Sequence, residues 1–287
     1  MRAYVPSYRL VSPGTLSEAL DFLAQANGTW KAFAGGTDLM VMLEAGKLPH
    51  KNYVNIWNLK DLHGIEVVSD YVTLGALTTY TEIQQNRVMQ QEFSLLCQAA
   101  KETGGIAIQN RGTLGGNIVN ASPAADSPPA LLAYDAELKM ISKEGERTIP
   151  YDKFHRGYKQ MDIRAGELLR AIRLPRTKEP LTHYYRKVGT RKAQAISKVC
   201  FAAVGRVEDK ISRVRIALGS VAPIPLRCYQ TENTLQNRFL NDESISAAKM
   251  ALASEISPID DLRSTKDYRL RVSLNLLENF LLTLQIP

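Results

Sequence analysis

The pattern of apolar and polar residues predicts an α+β fold for the first hundred residues. Apolar side chains recur every three or four positions over residues 15–26, so they share one face of a helix. Thr15 and Glu18 have the spacing of a capping box at its start, and Asn27-Gly28 is a stop signal at its end. Short apolar runs predict strands at residues 30–34, 53–57 and 71–76, followed by helices at 79–87 and 93–102.

Residues 103–129 break this pattern. The stretch has five glycines, little charge and no helical or strand period, so we expect a loop. A loop of this length inside a compact domain favours a functional role. A hairpin is predicted next, with strands at residues 136–141 and 147–149 around a turn at Lys143-Glu144-Gly145.

A proline-bounded linker at residues 175–180 separates two predicted domains, residues 1–176 and 177–287. The second is predicted to be a small α+β domain with a three-stranded sheet at residues 184–188, 199–207 and 211–218, then helices at 244–256 and 267–284. The last helix has an apolar stripe that favours packing on the sheet over packing on a partner. Its residues are Leu270, Leu274, Leu277, Leu281 and Leu284.

Composition narrows the class of protein. Hydrophobic residues make up 45% of the chain and charged residues 23%, as in ordinary globular proteins. No apolar run is long enough to cross a membrane, and the first residues lack the apolar core of a secretory signal. Cys97, Cys200 and Cys228 are too few and too scattered for a disulfide framework, an all-cysteine iron–sulfur cluster or a zinc site. We therefore expect a cytoplasmic protein without a metal site of its own.

The positive charge is concentrated in the middle of the chain. Residues 156–215 hold sixteen Lys or Arg and five Asp or Glu, a local charge of +11, whereas the whole chain carries +7. Such a segment suits an anionic ligand, an acidic partner subunit, nucleic acid, or simply a solvated strand surface. Nucleic acid is the least favoured of these, because no binding motif or interleaved aromatic pattern is present.

Two glycine pairs are candidates for binding phosphate. Gly35-Gly36 follows a predicted strand, and Gly115-Gly116 lies in the 103–129 stretch. Successive glycines allow backbone N–H groups to converge on an anion, and two pairs match the two phosphates of a dinucleotide. The P-loop lysine is absent and the Rossmann G-x-G-x-x-G pattern is absent, so a dinucleotide here requires another architecture.

These segments resemble the flavin-binding elements of the xanthine dehydrogenase and carbon monoxide dehydrogenase family. The matching sequences are Ala34-Gly-Gly-Thr-Asp-Leu39, Arg111-Gly-Thr-Leu-Gly-Gly-Asn117 and Ala121-Ser-Pro-Ala-Ala-Asp126-Ser-Pro-Pro129. In the second domain, Gly219-Ser-Val-Ala-Pro-Ile-Pro-Leu-Arg227 and Asp261-Leu-Arg-Ser-Thr-Lys-Asp-Tyr-Arg269 are also similar to the family. The resemblance covers essentially the whole chain.

The resemblance implies a vanillyl-alcohol-oxidase/PCMH-type FAD-binding fold of two subdomains, with a C-terminal α+β domain closing over the flavin. It implies diphosphate contacts from two segments and further cofactor contacts at single positions. The first segment is Phe33, Ala34, Gly35, Gly36, Thr37, Asp38, Leu39 and Met40, and the second is Thr113, Leu114, Gly115, Gly116 and Asn117. The single positions are Thr103, Asp126, Leu168 (or Leu169 if the match slips by one) and Lys187.

The residues themselves add to this implied site. A cation at Lys187 would stabilise the negative charge of reduced flavin, and Asp126 is an isolated charge in a proline-rich stretch. The first glycine segment has no His or Cys for covalent attachment, so FAD should be bound non-covalently. No aromatic follows Tyr185 in the 186–196 turn, which favours the xanthine dehydrogenase branch, whereas Gln109 stands where relatives often have Arg. His155 and His183 have no evident partner and are treated as incidental.

The function that the resemblance implies is electron transfer. The chain would accept electrons from [2Fe–2S] clusters of a small partner subunit and pass them to NAD⁺ or another acceptor, while a large molybdopterin subunit hydroxylates the substrate. No catalytic acid or base is expected in the chain. A stand-alone FAD-dependent oxidase of the same fold and a non-enzymatic basic binding protein are the alternatives, and the first of these would need a substrate base.

Overall fold

A computed structural model describes residues 7–25, 29–192 and 194–285. The first subdomain is a small parallel sheet of β1 (Arg9–Val11), β2 (Trp30–Phe33) and β3 (Asn52–Asn55) in the order β1-β3-β2. Helix α1 (Leu16–Ala24) packs on it, and a short helix α2 (Leu39–Glu44) follows β2.

The start of α1 is as predicted in part. The Thr15 hydroxyl accepts a hydrogen bond from the Glu18 N–H at 3.2 Å. The Glu18 carboxylate instead accepts from the Gly14 N–H at 2.8 Å, so the reciprocal bond of a capping box is replaced by one a residue earlier. The predicted stop at Asn27-Gly28, together with Ala26, lies outside the described residues.

The second subdomain is built on a five-stranded antiparallel sheet in the order β4-β5-β10-β6-β7. Its strands are β4 (Ile65–Val67), β5 (Tyr71–Gly75), β6 (Glu137–Ser142), β7 (Gly145–Pro150) and β10 (Leu168–Pro175). Strands β6 and β7 are the predicted hairpin. A two-stranded ribbon, β8 (His155–Gly157) with β9 (Gln160–Met161), lies between β7 and β10.

The prediction of a loop over residues 103–129 was wrong. After α3 (Tyr80–Gln85), α4 (Arg87–Glu92) and α5 (Ser94–Glu102), the stretch forms the short helices α6 (Ile106–Gln109) and α7 (Leu114–Asn120) and the start of α8 (Ser127–Ala133). Helices of four to seven residues make only about one to two turns, too few for an amphipathic repeat to stand out in the sequence. They are stabilised by burial instead, since all seven residues of α8 are buried.

The C-terminal domain contains the three predicted strands, β11 (Thr182–Val188), β12 (Val199–Val207) and β13 (Ile211–Gly219), and a two-residue fourth strand, β14 (Leu226–Arg227). Helices α9 (Tyr229–Leu235), α10 (Asp242–Glu255) and α11 (Lys266–Thr283) cover one face of this antiparallel sheet. From the predicted stripe on α11, Leu277, Leu281 and the following Leu284 are buried, while Leu270 and Leu274 are partly buried against the same core.

Strand β12 contributes alternate side chains to the cores of both domains. Val199, Phe201 and Ala203 face the α10–α11 core, whereas Cys200, Ala202 and Val204 belong to the core of the second subdomain. At the edge of the same sheet, the Arg227 guanidinium donates to the Leu132 carbonyl at 2.7 Å and to the Asp135 carboxylate at 2.6 Å. The C-terminal domain therefore packs on α8, the helix that begins at the residue after Asp126.

No helix in the described part of the chain is both long and apolar enough to span a membrane.

Candidate functional site

The first glycine segment presents unpaired backbone donors. Strand β2 ends at Phe33, and Gly36 has a φ of 78°, a left-handed conformation that glycine adopts without strain. Among the described residues, the N–H groups of Gly35, Gly36, Thr37 and Asp38 have no protein acceptor, and α2 has no side-chain cap. Consecutive free N–H groups at the start of a helix form a concavity that suits phosphate oxygens.

The two glycine segments touch each other. A Cβ atom at Gly35 would overlap the Arg111 carbonyl group, so only glycine permits this approach of the two backbones. The Arg111 guanidinium lies 3.8 Å from the centroid of the Trp57 ring, which holds the second segment against the end of β3. The tertiary structure thus brings together two segments that are separated by about seventy residues of sequence.

The second glycine pair does not have the free donors that the sequence suggested. The N–H of Leu114 donates to the Thr78 carbonyl at 2.9 Å, and the N–H of Gly115 donates to the Ala76 carbonyl at 2.9 Å. The N–H of Gly116 donates to the Thr113 hydroxyl at 3.1 Å, a helix N-cap. A Cβ at Gly115 would lie 2.7 Å from the Ala76 Cβ, so this glycine allows α7 to pack on the end of β5.

Asp126 and Lys187 form a buried ion pair between the domains. The Lys187 Nζ lies 2.7 Å from Asp126 Oδ2 and also donates to the Glu102 carbonyl at 2.8 Å. The other carboxylate oxygen, Oδ1, accepts from the Ser197 hydroxyl at 2.5 Å. Burial raises the pKa of Asp126, while Lys187 and Ser197 act in the opposite direction by stabilising the carboxylate.

A hydrogen bond links this pair to the glycine segments. The Ser127 hydroxyl donates to the Asn117 side-chain oxygen at 2.6 Å, so the residue after Asp126 is tied to α7. Asn117 of the second glycine segment is therefore connected to the Asp126–Lys187 pair through Ser127. With respect to the described residues, the Asn117 amide nitrogen and one proton of the Lys187 ammonium remain as further donors.

The side chains of two predicted positions are engaged elsewhere. The Thr103 hydroxyl donates to the Ala99 carbonyl at 2.7 Å, at the end of α5. Leu168 packs in the core under α1, and Leu169 packs in the core of the second subdomain. Asp38 and Met40 are exposed.

Three buried polar residues that connect to the Asp126 carboxylate were missed by the sequence argument. They are Ser197, Ser220 and Arg269, which lie in the C-terminal domain and are buried. Ser220 and Arg269 fall within motifs that the resemblance had identified, but no chemistry had been attached to either motif. Ser197 carries no such signal, because a single serine before a strand is common.

Both histidines have partners, so the interpretation that they have none was wrong. The His155 Nε2 lies 3.0 Å from the Ile118 carbonyl of α7. The His183 Nδ1 lies 2.8 Å from the Ser94 hydroxyl and 3.0 Å from the Tyr134 hydroxyl. Burial lowers the pKa of both imidazoles, which favours the neutral form. They support the fold around the site rather than the site itself.

Much of the central positive charge is neutralised within the chain. Arg176 forms an ion pair with Glu92, Arg173 with Glu137 and Arg215 with Asp135, in each case with a carboxylate outside the basic segment. These pairs favour the solvated-surface interpretation for a large part of the segment. Within the described ranges no group of three His, Cys, Asp or Glu side chains could hold a metal ion.

The comparisons with known proteins agree with this geometry. The family model described as the FAD binding domain in molybdopterin dehydrogenase matches residues 6–177, and the model of the CO dehydrogenase flavoprotein C-terminal domain matches residues 183–284. The fold is the PCMH-type FAD-binding fold with an added C-terminal domain. The chain belongs to the family of FAD-binding medium subunits of xanthine and carbon monoxide dehydrogenase-type molybdenum hydroxylases.

Individual relatives cover nearly the full chain. The xanthine dehydrogenase FAD-binding subunit of Escherichia coli O157:H7 is 34% identical over 90% of this chain and 89% of its own length. The carbon monoxide dehydrogenase medium chain of Hydrogenophaga pseudoflava is 28% identical over 92% of each chain. A solved structure of carbon monoxide dehydrogenase from the same organism superposes with a TM-score of 0.92 at 27% identity and covers 96% of both chains.

Proposed function

We propose that this chain is the FAD-binding electron-transfer subunit of a xanthine dehydrogenase-like molybdenum hydroxylase. It would accept electrons from [2Fe–2S] clusters in a small partner subunit and pass them to NAD⁺ or another acceptor. Hydroxylation would take place on a large molybdopterin subunit. The chain would work in the cytoplasm, without nucleic acid or membrane as a partner.

The observation that carries this proposal is that, within the described ranges, the N–H groups of Gly35, Gly36, Thr37 and Asp38 have no protein acceptor, in a segment whose Gly35 lies against the Arg111 backbone. Such backbone donors at the start of a helix suit the oxygens of a diphosphate. No His or Cys lies between Phe33 and Met40, so the cofactor would be held non-covalently. FAD, when bound, supplies the two-electron redox chemistry, and the protein supplies position and charge.

The chain's own residues favour electron transfer over substrate chemistry. Lys187 is the buried cation of the site, and Asp126 balances its charge. Burial raises the pKa of Tyr80, Tyr185 and the Cys200 thiol, so none of these is poised to act as a base near neutral pH. A stand-alone oxidase of the same fold would need such a base, which is why it is the less favoured function.

The test is to purify the chain in two ways, alone and as part of its complex from the native source. We expect a yellow protein from which acid or heat releases intact FAD, and co-purification of molybdenum and iron from the native source. The isolated chain should contain flavin but lack hydroxylase activity. Release of FMN, flavin that stays with the precipitated protein, or substrate hydroxylation by the metal-free chain would contradict the proposal.

A further inference from the structure

Two motifs of the C-terminal domain meet behind the ion pair. The Ser220 hydroxyl, from the motif that begins at Gly219, donates to the Ser197 carbonyl at 3.0 Å. Arg269, from the other motif, donates through Nη1 to the Ser220 carbonyl at 2.9 Å and to the Lys198 carbonyl at 2.7 Å. The carbonyl groups of Ser197 and of the next residue are therefore held by these two residues.

Arg269 is an unusual anchor because it is only 3% exposed. Its Nη2 donates to Asp261 Oδ1 at 2.8 Å, which balances the charge. Its Nε has no hydrogen-bond partner among the described residues. A buried guanidinium that binds two backbone carbonyls and one carboxylate fixes peptide positions with little freedom.

The same residues hold the segment that carries Asp126. The Ser220 N–H donates to the Pro123 carbonyl at 2.8 Å, and the Ser197 hydroxyl donates to Asp126 Oδ1 at 2.5 Å. A Cβ at Gly219 would lie 3.2 Å from Pro129 Cγ, so the strand end is packed tightly against this segment. Ser197 is 1% exposed, and solvent therefore cannot replace its hydroxyl.

We propose that Ser197 is a positioning residue for the Asp126 carboxylate, held in place by Ser220 and Arg269, through which the C-terminal domain sets the affinity for FAD. The inference rests on the proposed function, in which Asp126 is a cofactor contact. Ser197 acts only through Asp126. Among the described residues, its removal leaves Lys187 as the single side-chain donor to that carboxylate.

The pH dependence of binding reports this role. A hydrogen bond to the ionised carboxylate stabilises it, so loss of the Ser197 hydroxyl raises the pKa of Asp126 further above its usual value. The charged or titratable groups that face Asp126 are Lys187 and Tyr185 on β11, Cys200 on β12, Glu102 on α5 and Tyr80 on α3. Burial keeps the two tyrosines and the thiol neutral, but it also raises the pKa of Glu102, which therefore needs a control.

The experiment measures the dissociation constant of FAD for the full chain by flavin fluorescence from acidic to neutral pH. In Ser197→Ala, the acid-side inflection should move to higher pH, and affinity at neutral pH should fall about tenfold, as for loss of a hydrogen bond to a charged group. Ser273→Ala is the matched control, because Ser273 is a buried serine of the same domain that donates to the Arg269 carbonyl at 2.8 Å. It should leave the inflection unchanged.

Three further variants complete the test. Asp126→Asn should lack the acid-side inflection, and adding Ser197→Ala to that variant should not change FAD affinity further. Glu102→Gln should keep the inflection. If Ser197→Ala does not fold, Ser220→Ala should move the inflection in the same direction by a smaller amount. The inference would be overturned if the folded serine variants bind FAD with the pH dependence of the wild type while Asp126→Asn binds it more weakly. That result would leave the proposed function intact. Wild-type binding by Asp126→Asn would instead remove Asp126 from the cofactor site.

Discussion

The Lys187 ammonium and the Asp126 carboxylate lie 2.7 Å apart, one contributed by each domain, with side chains only 6% and 11% exposed. Each is the counter-ion of the other in a place that water scarcely reaches. Two positions that the sequence suggested as separate cofactor contacts are thus one unit. A change at either position has consequences for stability as well as for the flavin.

Lys187→Met should destabilise the apo-protein, because it leaves the Asp126 carboxylate buried without its cation. Breaking a buried pair from one side costs about 3–5 kcal/mol, whereas replacing both partners is often close to neutral. The double variant Lys187→Met/Asp126→Asn should therefore recover most of the loss. Urea unfolding of the FAD-free protein measures this. Equal stability of the wild type and the single variant would show that the pair contributes nothing.

The flavin midpoint potential should fall in Lys187→Met, because a buried cation stabilises the negative charge of reduced flavin. A change of tens of millivolts is expected, since about 30 mV corresponds to about 1.4 kcal/mol for two electrons. FAD affinity should change less, because the diphosphate segment is intact. Spectroelectrochemical titration at matched pH is the measurement, with Lys210→Met as a control on the β12–β13 turn. An unchanged potential at normal flavin content would exclude Lys187 from the flavin environment.

Gly35→Ala should lower FAD affinity strongly and reduce thermal stability. The added Cβ meets the Arg111 carbonyl, and backbone cannot move aside as a flexible side chain can. The two segments would separate, and the free N–H groups would no longer converge. Gly14→Ala is the control, because its Cβ would meet only Glu18 Oε2 at an ordinary 3.7 Å. Flavin fluorescence titration and melting curves of both variants are the measurements. Equal FAD affinity and equal melting temperature in the two variants would contradict the predicted contact.

Gly115→Val should unfold or loosen the second subdomain before it affects phosphate binding. A Cβ there would lie 2.7 Å from the Ala76 carbonyl oxygen, which also accepts the Gly115 N–H. The expected result is a lower melting temperature of the apo-protein as well as lost FAD. If the variant has the apo stability of the wild type but does not bind FAD, Gly115 is needed for close approach of phosphate and not for packing.

Acid should destabilise the protein partly through His155 and His183. Burial lowers the pKa of both in the folded state, so below the unfolded value of 6.5 the unfolded chain binds more protons than the folded one. Stability should thus fall as the pH drops through 6.5 towards the folded pKa values. Urea unfolding at several pH values should show a smaller pH dependence in His183→Gln. The same slope in wild type and variant would argue against a neutral buried His183.

The elements that the sequence determined by itself are those whose pattern is local. Helix α1 spans nine residues with one buried face, so its period of about 3.6 residues is visible in the chain, and the apolar run of β12 marks a buried strand. The linker before β11 and the glycine pair after β2 are also local signals, since proline and glycine act on their own backbone angles. The family resemblance follows from motifs of this kind.

Only the tertiary structure decided how the site is assembled. Helices α7 and α8 are too short to show a period, and they exist because Leu114, Ile118 and all of α8 are buried by distant elements. The contact of Gly35 with Arg111 and the bond from Ser197 to Asp126 join positions that are 76 and 71 residues apart in the chain. Such pairings depend on the path of the backbone and on which polar groups burial leaves without water, and no local pattern encodes either.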